Sequence, residues 1–121
     1  MKKILAAAAL AIGLSGIAQA EIVMLPWAKI NFSTLDSNNY GGCMIRIDQR
    51  IDGLTGGQCK SLSNGAFLVF SCTGELQDYD IANKLFDTAQ MAQVLNKNVR
   101  LYVDTNLRHN GFCTVNRLDI E

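Results

Sequence analysis

The chain has 121 residues, with eleven basic side chains against eleven acidic ones and a single histidine. That length suits one domain. A near-neutral charge without lysine or arginine runs excludes the electrostatic footprint of a nucleic-acid or anionic-membrane binder.

Met1-Lys2-Lys3 precedes an uninterrupted small and apolar run from Ile4 to Ile17, and Ala18-Gln19-Ala20 stands before Glu21. The basic start, a run too short to span a bilayer comfortably, and small residues at the last and third-last positions read as a secretory signal peptide over 1–20. An N-terminal membrane anchor is the alternative. No cysteine lies near the cleavage point, so lipid attachment is not expected there. The expected organisation is a signal peptide at 1–20 and one domain at 21–121, exported to the periplasm or secreted. Without Lys2 and Lys3, nine basic residues face eleven acidic ones, a formal charge of −2.

Residues 27–33 alternate, with Ala28, Ile30 and Phe32 on one face and Lys29, Asn31 and Ser33 on the other. A period of two predicts a half-buried strand. The cluster Asp36-Ser37-Asn38-Asn39-Tyr40-Gly41-Gly42 predicts a turn, since asparagine and glycine tolerate positive φ. Alternation resumes from Cys43 to Gln49, and Asp52-Gly53 and Gly56-Gly57 mark the next turn. Ala66-Phe67-Leu68-Val69-Phe70 is a continuous apolar run of strand length.

The spacing then changes. Ile81, Leu85, Phe86, Val94 and Leu95, with Ala82, Ala89 and Ala92 in the same sector, predict a helix over 81–95. Asp78 and Asp80 are suited to cap its first turn, and Asn96-Lys97-Asn98 to close it. Val99, Leu101 and Val103 alternate with Arg100, Tyr102 and Asp104 in a fourth strand. A fifth spans 113–120, with a slip between Val115 and Leu118 that suggests a bulge.

The order is three strands, one helix, two strands, a mainly β (β+α) domain. Five short antiparallel strands hide their edges by closing into a small barrel. A helix inserted between the third and fourth strands, plugging the barrel end, is the OB-fold arrangement. An open α+β sandwich is the alternative. In the barrel, the start of the second strand meets the end of the third, which pairs Cys43 with Cys72. The third and fifth strands run parallel, which pairs Cys59 with Cys113. An even cysteine count in a short exported chain reads as two disulfides. The lack of a close Cys-x-x-Cys pair argues against zinc, and no cofactor is expected.

Catalytic signals are weak. The one histidine, His109, falls in a polar stretch that reads as a solvated loop, and triads need a base beside the nucleophile. Asp78 with Asp80 reads as helix capping, Asp48 with Asp52 as strand end and turn, and no glycine-rich loop opens a helix. A non-enzymatic binding module is expected. Trp27, Tyr40, Tyr79 and Tyr102 beside asparagines and aspartates combine apolar ring faces with directional hydrogen bonds, as a sugar requires. Covering of barrel ends or subunit contacts is the plainer reading of each ring.

Leu95-Asn96-Lys97-Asn98-Val99-Arg100-Leu101-Tyr102-Val103, Cys59 before the third strand, and Cys113 followed by Asn116-Arg117-Leu118-Asp119-Ile120 give the chain a likeness. It resembles the binding subunits of bacterial A–B toxins, of the subtilase-cytotoxin type. The resemblance implies a ring-forming module that recognises host glycans or glycoproteins, often a homopentamer carrying a separate catalytic A subunit, with no membrane insertion. Carried over by position, the polar residue late in the second strand is Asp48. The family's glycan-contacting aromatic falls at Val103, where Tyr102 or Asp104 could substitute in a shifted register. Together with Asn39 and Tyr40 of the first turn, Asp48, Tyr102 and Asp104 are the candidate ligand-binding residues. The alternative function is a periplasmic module that binds or inhibits another protein or serves in envelope stress.

Overall fold

A computed structural model describes residues 21–37 and 39–121; the expected signal segment and Asn38 lie outside the described residues. The strands are β1 (Ile22–Met24), β2 (Ala28–Leu35), β3 (Gly42–Ile47), β4 (Ala66–Ser71), β5 (Asn98–His109) and β6 (Phe112–Ile120), with α1 (Tyr79–Val94) between β4 and β5. β2 pairs with β3, β3 with β4, β5 with β6 and β5 with β2, all antiparallel. β4 meets β6 in parallel through Val69 and Thr114. The mainly β sheet therefore closes in a ring, β2–β3–β4–β6–β5–β2, and the open α+β sandwich is set aside.

Among the described residues there are six strands where alternation gives five. β1 is three residues long, too short for a period to declare itself, and it is added to the edge of β5 with Met24 opposite Tyr102.

The ring encloses Ile45, Ile47, Leu68, Phe70, Val99, Leu101, Val103 and Val115, all at most 1% exposed. α1 touches all five ring strands and lies across one end of the core. Its buried residues are Ala82, Phe86, Ala89 and Ala92, with the Phe86 ring edge-on to Phe70 at 5.4 Å. Ile81, Val94 and Leu95, expected on the core side, are exposed instead. Small alanines let the helix approach closely, so Phe86 fills most of the space that larger side chains would need. Asp78 caps the helix by accepting the Ile81 N–H at 3.1 Å. At the other end Asn96 is left-handed, with φ 54°, and the Lys97 N–H bonds to the Ala92 carbonyl.

Two bulges decide which side chains face outward. In β2, Ile30 pairs with Ile47 but Phe32 pairs with Arg46, so Asn31 is an extra residue and Phe32 turns to the outside. This corrects the placing of Phe32 with Ala28 and Ile30. In β6, Tyr102 pairs with Arg117 but Val103 with Val115, so Asn116 is extra, the slip expected from its sequence. Arg117 and Asp119 thereby share the outer face, while Leu118 packs toward the core.

The disulfides are Cys43–Cys72 and Cys59–Cys113, with Cα separations of 5.8 and 5.3 Å, the pairs that follow from the strand order. Two cystines in so small a domain are compatible with export. Among the described residues, no helix is long and apolar enough to cross a membrane.

Candidate functional site

The outer face of β5 and β6 gathers aromatic and charged side chains from three places in the chain. Alternation along β5 sends Val99, Leu101 and Val103 inward and Arg100 and Tyr102 outward. The Asn116 bulge brings Arg117 and Asp119 opposite them. Trp27, in the link between β1 and β2, completes the row.

The Arg100 guanidinium lies 4.8 Å from the Trp27 ring centroid and 5.9 Å from that of Tyr102, and Arg117 covers Tyr102 at 4.6 Å. Asp119 holds the row together. It accepts from Arg100 Nη2 at 3.2 Å, from Arg117 Nε at 3.0 Å and from the Tyr102 hydroxyl at 3.3 Å. Partial burial of the carboxylate opposes its ionisation. The hydrogen bonds from Arg117 and Arg100, the Arg117 charge and the Tyr102 hydroxyl outweigh that and hold Asp119 below the usual carboxylate range. The result is a shallow surface of half-buried rings with donors fixed between them.

The expected ligand-binding residues divide. Tyr102 stands in the middle of this row. Asp48, just past β3, accepts the Lys29 N–H at 2.9 Å and gives its own N–H to the Lys29 carbonyl, so it ties the end of β3 to β2. Asp104 is 4% exposed and accepts the Asn106 N–H at 2.9 Å. It supports the irregular stretch of β5 and presents nothing to a ligand. Asn39 and Tyr40 belong to a different region: the Tyr40 ring packs on Phe112 at the start of β6, five positions before the Arg117 that Tyr102 meets. The Asn39 carbonyl accepts from the Asn110 side chain. The five residues therefore do not form one site.

Arg100, Arg117 and Asp119 are not among the candidate residues singled out from the sequence, and Trp27 is among its sugar-suited rings but outside the ligand-binding set. The available signal was the alternation of β5 itself, which places Arg100 beside Tyr102, and the slip in β6, which places Arg117 and Asp119 outward.

His109 is buried, at 7% exposed, and not a solvated loop residue. The strand continues through it because the β5–β6 hairpin turns at Asn110-Gly111, both with positive φ. Its Nε2 lies 3.3 Å from Ser71 Oγ and its Nδ1 3.9 Å from a Glu75 carboxylate oxygen. The order serine, histidine, carboxylate is that of a nucleophilic triad. Ser71, however, is wholly buried and its Oγ already accepts the Leu76 N–H at 2.8 Å. The cluster fastens the segment that leads into α1.

Among the described residues there is no enclosed pocket and no group of three or more potential metal ligands. Comparison with protein-family models, with curated proteins and with solved structures finds no match for the chain.

Proposed function

We propose that the chain is an exported, non-enzymatic carbohydrate-binding protein, periplasmic or secreted, whose Trp27–Arg100–Tyr102–Arg117 face recognises cell-surface glycans. The observation that supports this most is the fixing of the Tyr102 hydroxyl and two guanidinium groups on one carboxylate, between outward aromatic rings. Rings offer apolar faces to the C–H side of a sugar, and donors already held in place bind hydroxyls with little further ordering. A shallow surface of this kind suits the end of a glycan chain.

Trp27 is the only tryptophan of the chain, so its fluorescence reports directly on this face. Glycan-array screening of the oxidised protein, followed by fluorescence titration with each hit, is the test. Binding to sialylated, galactosyl or Lewis-type glycans with a change in Trp27 emission, weakened by Tyr102→Phe, is the expected result. Silence across all three classes overturns the proposal. On the resemblance to toxin binding subunits the protein would assemble as a pentamer with a separate catalytic subunit. Light scattering tests that assembly: a monomer would remove it and favour the protein-binding alternative.

A further inference from the structure

A second outward surface lies across β2, β3 and β4, and its composition differs. The Asn31 bulge turns Phe32 out beside Arg46, and Arg46 is registered in turn against Phe67. The Arg46 guanidinium sits 5.4 Å from the Phe32 centroid and 5.9 Å from that of Phe67. Phe67 is edge-on to Phe112 at 5.8 Å, and the Lys60 ammonium lies 5.3 Å from the Phe112 ring. Lys60 is held there because its backbone bonds to Gly111 and its neighbour Cys59 is bridged to Cys113.

Neither cation joins an ion pair among the described residues. Arg46 gives its Nε–H to the Asn31 side chain at 2.8 Å, but its Nη groups and the Lys60 ammonium have no hydrogen-bond partner there. Two cations on an apolar bed, without a carboxylate, are complementary to an anion that also carries apolar groups. The rings that the two cations cover are phenylalanines, and Tyr40, edge-on to Phe112 at 5.8 Å, adds a single hydroxyl, so the face has few of the directional partners that sugar hydroxyls demand. Arginine and aromatic residues at the centre of a patch are, by contrast, the groups that anchor protein interfaces.

We infer that this face is a docking surface for an acidic, aromatic-containing peptide segment of a partner protein, with Arg46 and Lys60 receiving carboxylates and Phe32, Phe67 and Phe112 receiving apolar side chains. It is independent of the glycan reading, which rests on the opposite set of residues.

The test is fluorescence anisotropy of the oxidised full chain with a labelled peptide of alternating glutamate and phenylalanine. Lysine–phenylalanine and glutamate–serine peptides serve as controls. The expected result is binding of the glutamate–phenylalanine peptide alone, weakened by added salt and reduced about tenfold by Arg46→Met and by Lys60→Met. Lys60→Met lies in a loop outside any strand pairing, so it reports even if Arg46→Met disturbs the sheet. Equal binding of the glutamate–serine peptide, binding unchanged by Lys60→Met, or tighter capture of chondroitin sulfate than of the peptide would overturn the inference. Trp27 emission should stay constant throughout, and a change would place the peptide on the other face.

Discussion

On both outward faces cationic side chains stack on aromatic rings, but the charges are settled differently. Across β5 and β6, Arg100 and Arg117 share Asp119, and the Tyr102 hydroxyl joins the same carboxylate. Across β2, β3 and β4, the Arg46 guanidinium and the Lys60 ammonium lie over rings, Arg46 bonds to the Asn31 amide, and neither joins an ion pair among the described residues. A cation on a ring is only partly compensated, because the ring quadrupole is a weak substitute for an opposite charge. The first face is thus nearly complete within the protein and offers shaped hydrogen bonding. The second keeps unanswered charge and offers attraction. The lesson is that aromatic–cation stacking alone does not define a ligand; the nearby carboxylate does.

The strongest way to break this comparison is to cut Cys59–Cys113, which anchors the loop carrying Lys60 to the strand carrying Phe112. Replacing both cysteines by alanine releases a 54-residue separation and should cost about 4 kcal/mol of stability by urea denaturation. The second face should lose its cohesion first. Gly41→Ala comes next, at about 3 kcal/mol. Gly41 has φ +76°, and an added Cβ would lie 2.8 Å from the His109 ring and from the Phe70 carbonyl. Differential scanning calorimetry should show the loss, with Tyr40 shifted against Phe112.

A finer test uses Asp119. Its folded-state pKa lies below the ordinary value, so its contribution to stability is present above the unfolded pKa of about 4 and is lost as pH falls through the lower folded value. Asp119→Asn should therefore be less stable than the parent between pH 5 and 8, with the gap closing toward pH 2 in urea titrations. It should also abolish the ordered row at Tyr102 while leaving peptide binding at Arg46 untouched. If peptide binding changed as well, the two faces would not be separate. The smallest effect belongs to Lys60→Gln, expected to move stability by no more than about 0.5 kcal/mol while still reducing peptide affinity.

Much of the fold is legible in the sequence, because alternation and helical spacing reflect burial directly. Val99, Leu101 and Val103 point inward as their period requires, and Asp78 caps α1 as its position suggests. The misses share one cause: they depend on where a chain segment packs rather than on its own pattern. β1 has too few residues to show a period and exists through its pairing with β5. His109 looks polar by its neighbours Arg108 and Asn110, yet Ser71 and Gly41 enclose it. Ile81, Val94 and Leu95 lie round the helix from the stripe Ala82, Phe86, Ala89 and Ala92, which is turned to the core. Of the row on β5 and β6, Tyr102 is legible from the alternation of its own strand. Asp104 shares the alternation of Tyr102, but it is buried beside the irregular stretch between Asp104 and Arg108. Arg117 and Asp119 required the register of β6 to be known.

The two bulges carry a genetic consequence. Each bulge absorbs one surplus asparagine, Asn31 or Asn116, so that beyond it the strand falls back into step with its partner. A single-codon deletion at Asn31 would leave Phe32 directly after inward Ile30 and still opposite Arg46, so that surface would keep its first ring. Deleting Asn116 would likewise leave Arg117 opposite Tyr102 and Asp119 opposite Arg100. At these two positions the gene can lose a codon without exchanging the faces of the residues that follow.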